Sequence, residues 1–101
     1  MDRYAVADPM AERALSRVGE SVAAWRKLHK LTQEELARRA GISRPVVTRL
    51  ERGDEGVGIG ALMRVLAVLR VDDDVLEALD PMSTRFGREL ADRTRVQRVR
   101  R

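Results

Sequence analysis

The chain has 101 residues and no cysteine; 44% of it is apolar and only 3% aromatic. That is room for one small domain with a core of Val, Leu, Ala and Ile, and it excludes disulfide scaffolds, thiol catalysis and thiolate zinc sites, as suits a reducing cytoplasm. No apolar run approaches membrane-spanning length, so no membrane partner is expected. The net charge of +4 is unevenly spread: residues 26–52 hold eight basic and three acidic residues (+5), 54–84 two and seven (−5), and 85–101 seven and two (+5). The basic, acidic, basic order suggests one face for a polyanion and a tail with its own role.

The predicted elements are helical through residue 80. Residues 1–17 form an N-terminal extension in which Ala11 to Arg17 is a short helical stretch. Val18 to Lys30 reads as an amphipathic helix, with Leu15, Val18, Val22 and Trp25 at helical spacing. Thr32 followed by Glu35 is a capping-box pattern that opens a short helix, Gln33 to Ala40, burying Leu36, Ala37 and Ala40. Gly41 stops it, because the sharp turn needs a positive φ, and Ile42 plugs the turn. Ser43 caps a third helix with Pro45 in its first turn. Val46 or Val47 and Leu50 face inward, and the helix ends at Gly53.

After a loop, Asp54 to Gly58, a fourth helix from Ile59 to Val71 has a wide apolar face: Ile59, Leu62, Met63, Val65, Leu66 and Leu69. Asp72 or Asp73 is expected to cap a fifth helix with Val75, Leu76 and Leu79 inside, ended by Pro81. The expected fold is all-α: a compact five-helix bundle containing a helix-turn-helix over residues 18–80, plus a basic C-terminal tail, 81–101. In that tail Thr94 to Arg100 reads as mobile, or as a short strand where a partner offers an edge.

The segment TQEELARRAGISRPVVTRLERG, Thr32 to Gly53, carries the functional signal. Two short helices joined by a glycine turn form a rigid angled pair, the first lying across a DNA backbone and the second presenting its N-terminal residues to the major groove. Gln33, in the first turn of its helix, suits a phosphate oxygen. Ser43 suits a phosphate or a base. Arg44 and Arg49 can each bond guanine O6 and N7, and Thr48 shares their outward face. Pro45 can only pack, for instance on a thymine methyl. Arg52 is a phosphate candidate, and Arg38 and Arg39 are weaker ones. No nucleophile–base pair, metal cluster or phosphate-binding glycine loop appears, so neither an enzyme nor a cofactor or metal is expected. His29 is the only histidine, and Asp72 to Asp74 lacks calcium-loop spacing.

Arg26, Leu31, Thr32-Gln33, Leu36-Ala37, Gly41-Ile42-Ser43, Leu50-Glu51 and Gly53 together resemble the lambda-repressor/Cro-like helix-turn-helix proteins, also called xenobiotic-response-element regulators. The resemblance covers roughly Val18 to Leu79. It implies a five-helix fold, a homodimer on palindromic double-stranded DNA, and a buried or half-buried structural ion pair between Arg26 and Glu51. A second resemblance, to HipB-type antitoxins, rests on Ser43-Arg44-Pro45, on Leu50-Glu51-Arg52-Gly53-Asp54, on Leu62, Arg64, Val65 and Leu66, and on Arg98-Val99-Arg100 after Gly87. It implies a HipA-like kinase toxin as partner. Arg70 stands where a glycine is common, Gly58 where a capping serine is frequent, and Asp72-Asp73-Asp74 is unusually acidic. The expectation is therefore a sequence-specific regulator of the bacterial cytoplasm, nucleoid-associated when bound to its operator, that represses its own promoter. It is read as the antitoxin of a toxin–antitoxin operon, with a stand-alone phage-type repressor and a protein-interaction module as the alternatives.

Overall fold

The computed structural model describes residues 9–99. Among them the regular elements are α1 (Pro9–Leu28), α2 (Gln33–Ala40), α3 (Arg44–Glu51), α4 (Ile59–Leu69), α5 (Asp72–Leu79), a 3₁₀ turn at Pro81–Ser83, and α6 (Arg85–Val99). They fall into two compact units that divide between Arg70 and Val71. No described helix is long and apolar enough to cross a membrane.

The first unit is built from α1 to α4. α2 packs against α3 and α4, and α1 packs against α3 and α4. Its core holds Val22, Leu31, Leu36, Ala37, Ala40, Val47, Leu50, Val65, Leu66 and Leu69. α2 starts where Thr32 and Glu35 satisfy each other's end groups: the Glu35 N–H donates to Thr32 Oγ1 (3.0 Å), and the Thr32 N–H to Glu35 Oε1 (2.9 Å). α2 stops at Gly41, whose φ of 71° is left-handed, and the Ile42 N–H turns back to the Ala37 carbonyl (3.0 Å). That turn sets α3 across α2.

Two glycines bring α1 onto the end of α3. A Cβ on Gly19 would stand 2.5 Å from the Glu51 carbonyl oxygen, and one on Gly53 would stand 2.9 Å from Ser16 Cα. Helix α1 begins at Pro9, so the described part of the expected extension, 9–17, is the first half of α1; residues 1–8 lie outside the described residues. Ile59, expected in the core, is 76% exposed. It is the first residue of α4, one turn ahead of the half-buried Leu62 and the buried Val65, Leu66 and Leu69. α4 ends on Arg70, a non-glycine residue at φ 66°.

The second unit holds α5, the 3₁₀ turn and α6. The N-cap of α5 is Val71, with no side-chain cap bond. Asp72, Asp73 and Asp74 fill the first turn instead of capping it, where the helix dipole favours negative charge. Asp80 Oδ1 accepts from the Met82 N–H (2.9 Å), and Thr84 Oγ1 accepts from the Gly87 N–H (3.0 Å) to open α6. A Cβ on Gly87 would overlap the Pro81 carbonyl, so the turn folds over α6 only because that residue is glycine.

Helix α6 corrects the expectation of a mobile or extended tail: the chain is helical through Val99. Its exposed surface is laced by Arg85–Glu89 (3.1 Å) and Arg95–Asp92 (2.5 Å), pairs at helical spacing that support a helix with few apolar residues. Arg100, at the end of the expected strand, lies outside the described residues. Leu76 and Leu79, expected inside, are 51% and 72% exposed. Periodicity shows which side of a helix is apolar and says nothing about what covers it.

Candidate nucleic-acid interface

Helix α3 has two clearly different sides. Val47 and Leu50 are buried and Val46 and Glu51 half-buried. At 100° per residue the opposite side is centred on Pro45 and Arg52, flanked by Thr48 and Arg49, with Arg44 at its edge. All five are exposed except Thr48, which is half-buried. The expected reading residues therefore share one face, and the apolar side fixes that face through its packing.

Ser43 occupies the N-cap position of α3, but its side chain makes no cap hydrogen bond. Its exposed hydroxyl is thus not spent on the helix end as expected. Pro45 sits at the start of α3, where a missing N–H costs nothing. Arg38 and Arg44 line a shallow concavity with Gln33 and Arg26.

A polar network ties three helices together beneath this face. Arg26 Nε donates to Glu51 Oε2 (2.7 Å) and Nη2 to Oε1 (3.1 Å), a bidentate pair whose side chains are only 13% and 8% exposed. Arg26 Nη1 also donates to the Leu31 carbonyl (2.9 Å), bracing the turn that ends α1. Gln33 Nε2 donates to Glu51 Oε1 (2.9 Å), and Gln33 Oε1 accepts from Thr48 Oγ1 (3.0 Å). Gln33 is therefore anchored inside the protein, with one amide hydrogen outside these bonds. Thr48 spends its hydroxyl hydrogen on Gln33, and its oxygen keeps the capacity to accept a hydrogen bond.

Arg49 is also held. Its Nε donates to Asp54 Oδ2 (3.1 Å), and the Gly56 N–H donates to Asp54 Oδ1 (2.6 Å). The Gly56 N–H, and after it the Arg49 guanidinium, hold the Asp54 carboxyl below its ordinary value. Sequence reading gave Asp54 only as the end of a HipB-like run, with no role for its side chain, and did not single out Gly19. The available signals were the Asp-x-Gly spacing of a turn in which aspartate caps the backbone, and a glycine inside a helical pattern, which marks a close approach. His29 Nε2 lies 2.8 Å from the Leu69 carbonyl, which requires a hydrogen on that nitrogen. Among the described residues no group of three or more His, Cys, Asp or Glu is arranged to hold a metal ion.

A helix-turn-helix family model matches residues 22–76, more than half of the chain. No curated protein matches it.

Proposed function

The chain belongs to the lambda-repressor/Cro-like helix-turn-helix family of DNA-binding transcription regulators, and from that premise we propose that it reads a palindromic operator as a homodimer and represses its own promoter. The observation that carries this reading is the exposed face of α3: Pro45 and Arg52 lie opposite the buried Val47 and Leu50, with Thr48 and Arg49 on either side and Arg44 at the edge. On this reading Arg44 and Arg49 contact base edges, Thr48 accepts from a base, and Ser43, Arg52 and the remaining amide hydrogen of Gln33 contact phosphate. Pro45 packs on an apolar base edge. Arg26, Gly41 and Glu51 hold the helices in place.

The test is binding to a duplex from the promoter region of the chain's own gene. Arg44→Ala and Arg49→Ala should each lose about 1–3 kcal/mol of discrimination between that duplex and an unrelated one. Arg52→Ala should weaken both equally and flatten the salt dependence. Undiminished selectivity in the Arg44→Ala, Arg49→Ala double variant would remove the reading.

The antitoxin reading is the finer form of this proposal. It is supported by the HipB-like residues around α3. Co-purification from the native operon tests it: a kinase-like toxin retained on the tagged chain supports it, and a chain recovered alone with its operator favours a stand-alone repressor.

A further inference from the structure

The ion pair between Arg49 and Asp54 is exposed, with side chains 48% and 39% accessible. Pairs of this kind contribute little to stability, yet this one is built from several directions. Gly53, at φ 78°, reverses the chain after α3. The Gly53 N–H bonds the Leu50 carbonyl (3.0 Å) and the Asp54 N–H bonds the carbonyl of Arg49 itself (3.0 Å). The Gly56 N–H fixes the second carboxylate oxygen, and Arg49 Nη2 lies 3.0 Å from where a Cβ on Gly56 would stand. Asp54 is thus a rigid acceptor placed beside one particular arginine on the exposed face of α3.

An unrestrained arginine can present a guanine with either its Nη1/Nη2 end or its Nε/Nη2 edge, and it also serves any phosphate in reach. With Nε engaged by Asp54, the end-on fork is left. The carboxylate also offsets the arginine's charge and repels phosphates, which weakens sequence-independent attraction.

We propose that Asp54 is a positioning residue for base readout, which presets the Arg49 fork and trades general DNA affinity for sequence discrimination. The proposal rests on the reading of Arg49 as a base-contacting residue. It makes the two affinities move in opposite directions when Asp54 is changed, which a merely structural residue would not do.

The experiment uses the full chain, a duplex selected from a random library by the unaltered protein, its single-base-pair variants, and an unrelated duplex. Asp54→Asn retains an acceptor for the Gly56 N–H and removes the charge; Asp54→Ala removes both. Both variants should bind the unrelated duplex as tightly as the parent or more so, and Asp54→Asn, which keeps the acceptor for the Gly56 N–H, should keep the parent's melting temperature. Both should lose about tenfold in preference for the selected duplex. That loss should fall on the base pair that Arg49→Ala also relaxes, and it should vanish in the Arg49→Ala background.

Unchanged preference in Asp54→Asn, or an equal loss in the Arg49→Ala background, overturns the inference while leaving Arg49 as a reader. Lower affinity for both duplexes together with a lower melting temperature also overturns it. If Arg49→Ala relaxes no base pair, the reading of Arg49 fails and the inference falls with it.

Discussion

Single residues in this protein act where a helix ends or where charge is taken out of water. Glu51 is the clearest case, because its carboxylate takes two bonds from Arg26 and one from Gln33 while being 8% exposed. Removing it leaves a guanidinium sheltered and unpaired, so Glu51→Ala should cost about 3–5 kcal/mol in urea denaturation. A loss below about 1 kcal/mol would mean the pair behaves as an exposed one. Arg70 works in the other direction. A left-handed residue with a side chain costs about 1–2 kcal/mol, and glycine's extra freedom in the unfolded chain returns about 0.5–1 kcal/mol of that. Arg70→Gly should therefore stabilise the protein by about 0.5–1 kcal/mol and raise the melting temperature by a few degrees. A melting temperature that stays put or falls would show that the Arg70 side chain contributes more than its backbone costs.

At the scale of the elements, the contact between α1 and α3 is set by a missing side chain. In an exposed helix, Gly→Ala stabilises by about 1 kcal/mol. At Gly19 the new Cβ would meet the Glu51 carbonyl at 2.5 Å, within one residue's reach of the Arg26–Glu51 pair. Gly19→Ala should therefore destabilise by about 1–3 kcal/mol, as overpacking does, in calorimetry. The start of α2 carries a pH dependence of defined sign. The Thr32 backbone N–H, followed by its side chain, lowers the Glu35 pKa. A group depressed in the folded state contributes its full stabilisation above its ordinary value and loses it as pH falls through the lowered one. Glu35→Gln, which keeps an acceptor but not the charge, should flatten that acid limb of the stability profile, and an unaltered limb would assign it to other carboxylates. These elements show what a sequence discloses. The box at Thr32 and Glu35 and the turn at Gly41 were legible because their chemistry is local. The links among Gln33, Thr48 and Glu51 were not, since they join residues 15 and 18 positions apart whose meeting depends on how α2 crosses α3. Helix α6 escaped notice because a threonine cap and exposed ion pairs hold it, where an apolar stripe is the feature that periodicity detects.

At the scale of the whole molecule, the second unit carries an apolar surface that its own helices leave exposed. Leu76, Leu79, Met82, Phe86 and Leu90 are all exposed there. Ordering a residue costs about 1–2 kcal/mol of backbone entropy, and a helix of eight residues such as α5 is marginal in isolation. Residues 71–84 carry five acidic and no basic residues, whereas 85–101 carry seven basic and two acidic. In the proposed homodimer, a two-fold axis would set the acidic α5 of one chain against the basic α6 of the other and cover the apolar residues of both. Such a pairing would also supply the dimer that a palindromic operator requires, with recognition helices about 34 Å apart. The double variant Leu79→Glu, Phe86→Glu should then sediment as a monomer while the parent chain sediments as a dimer. With avidity gone, it should bind a full operator about 100-fold or more weakly, yet bind a single half-site as the parent does. Equal loss on the half-site would mean that the substitutions had damaged the reading unit. A double variant that still sediments as a dimer would put the interface elsewhere, and a monomeric parent would leave the α5–α6 surface to a different protein.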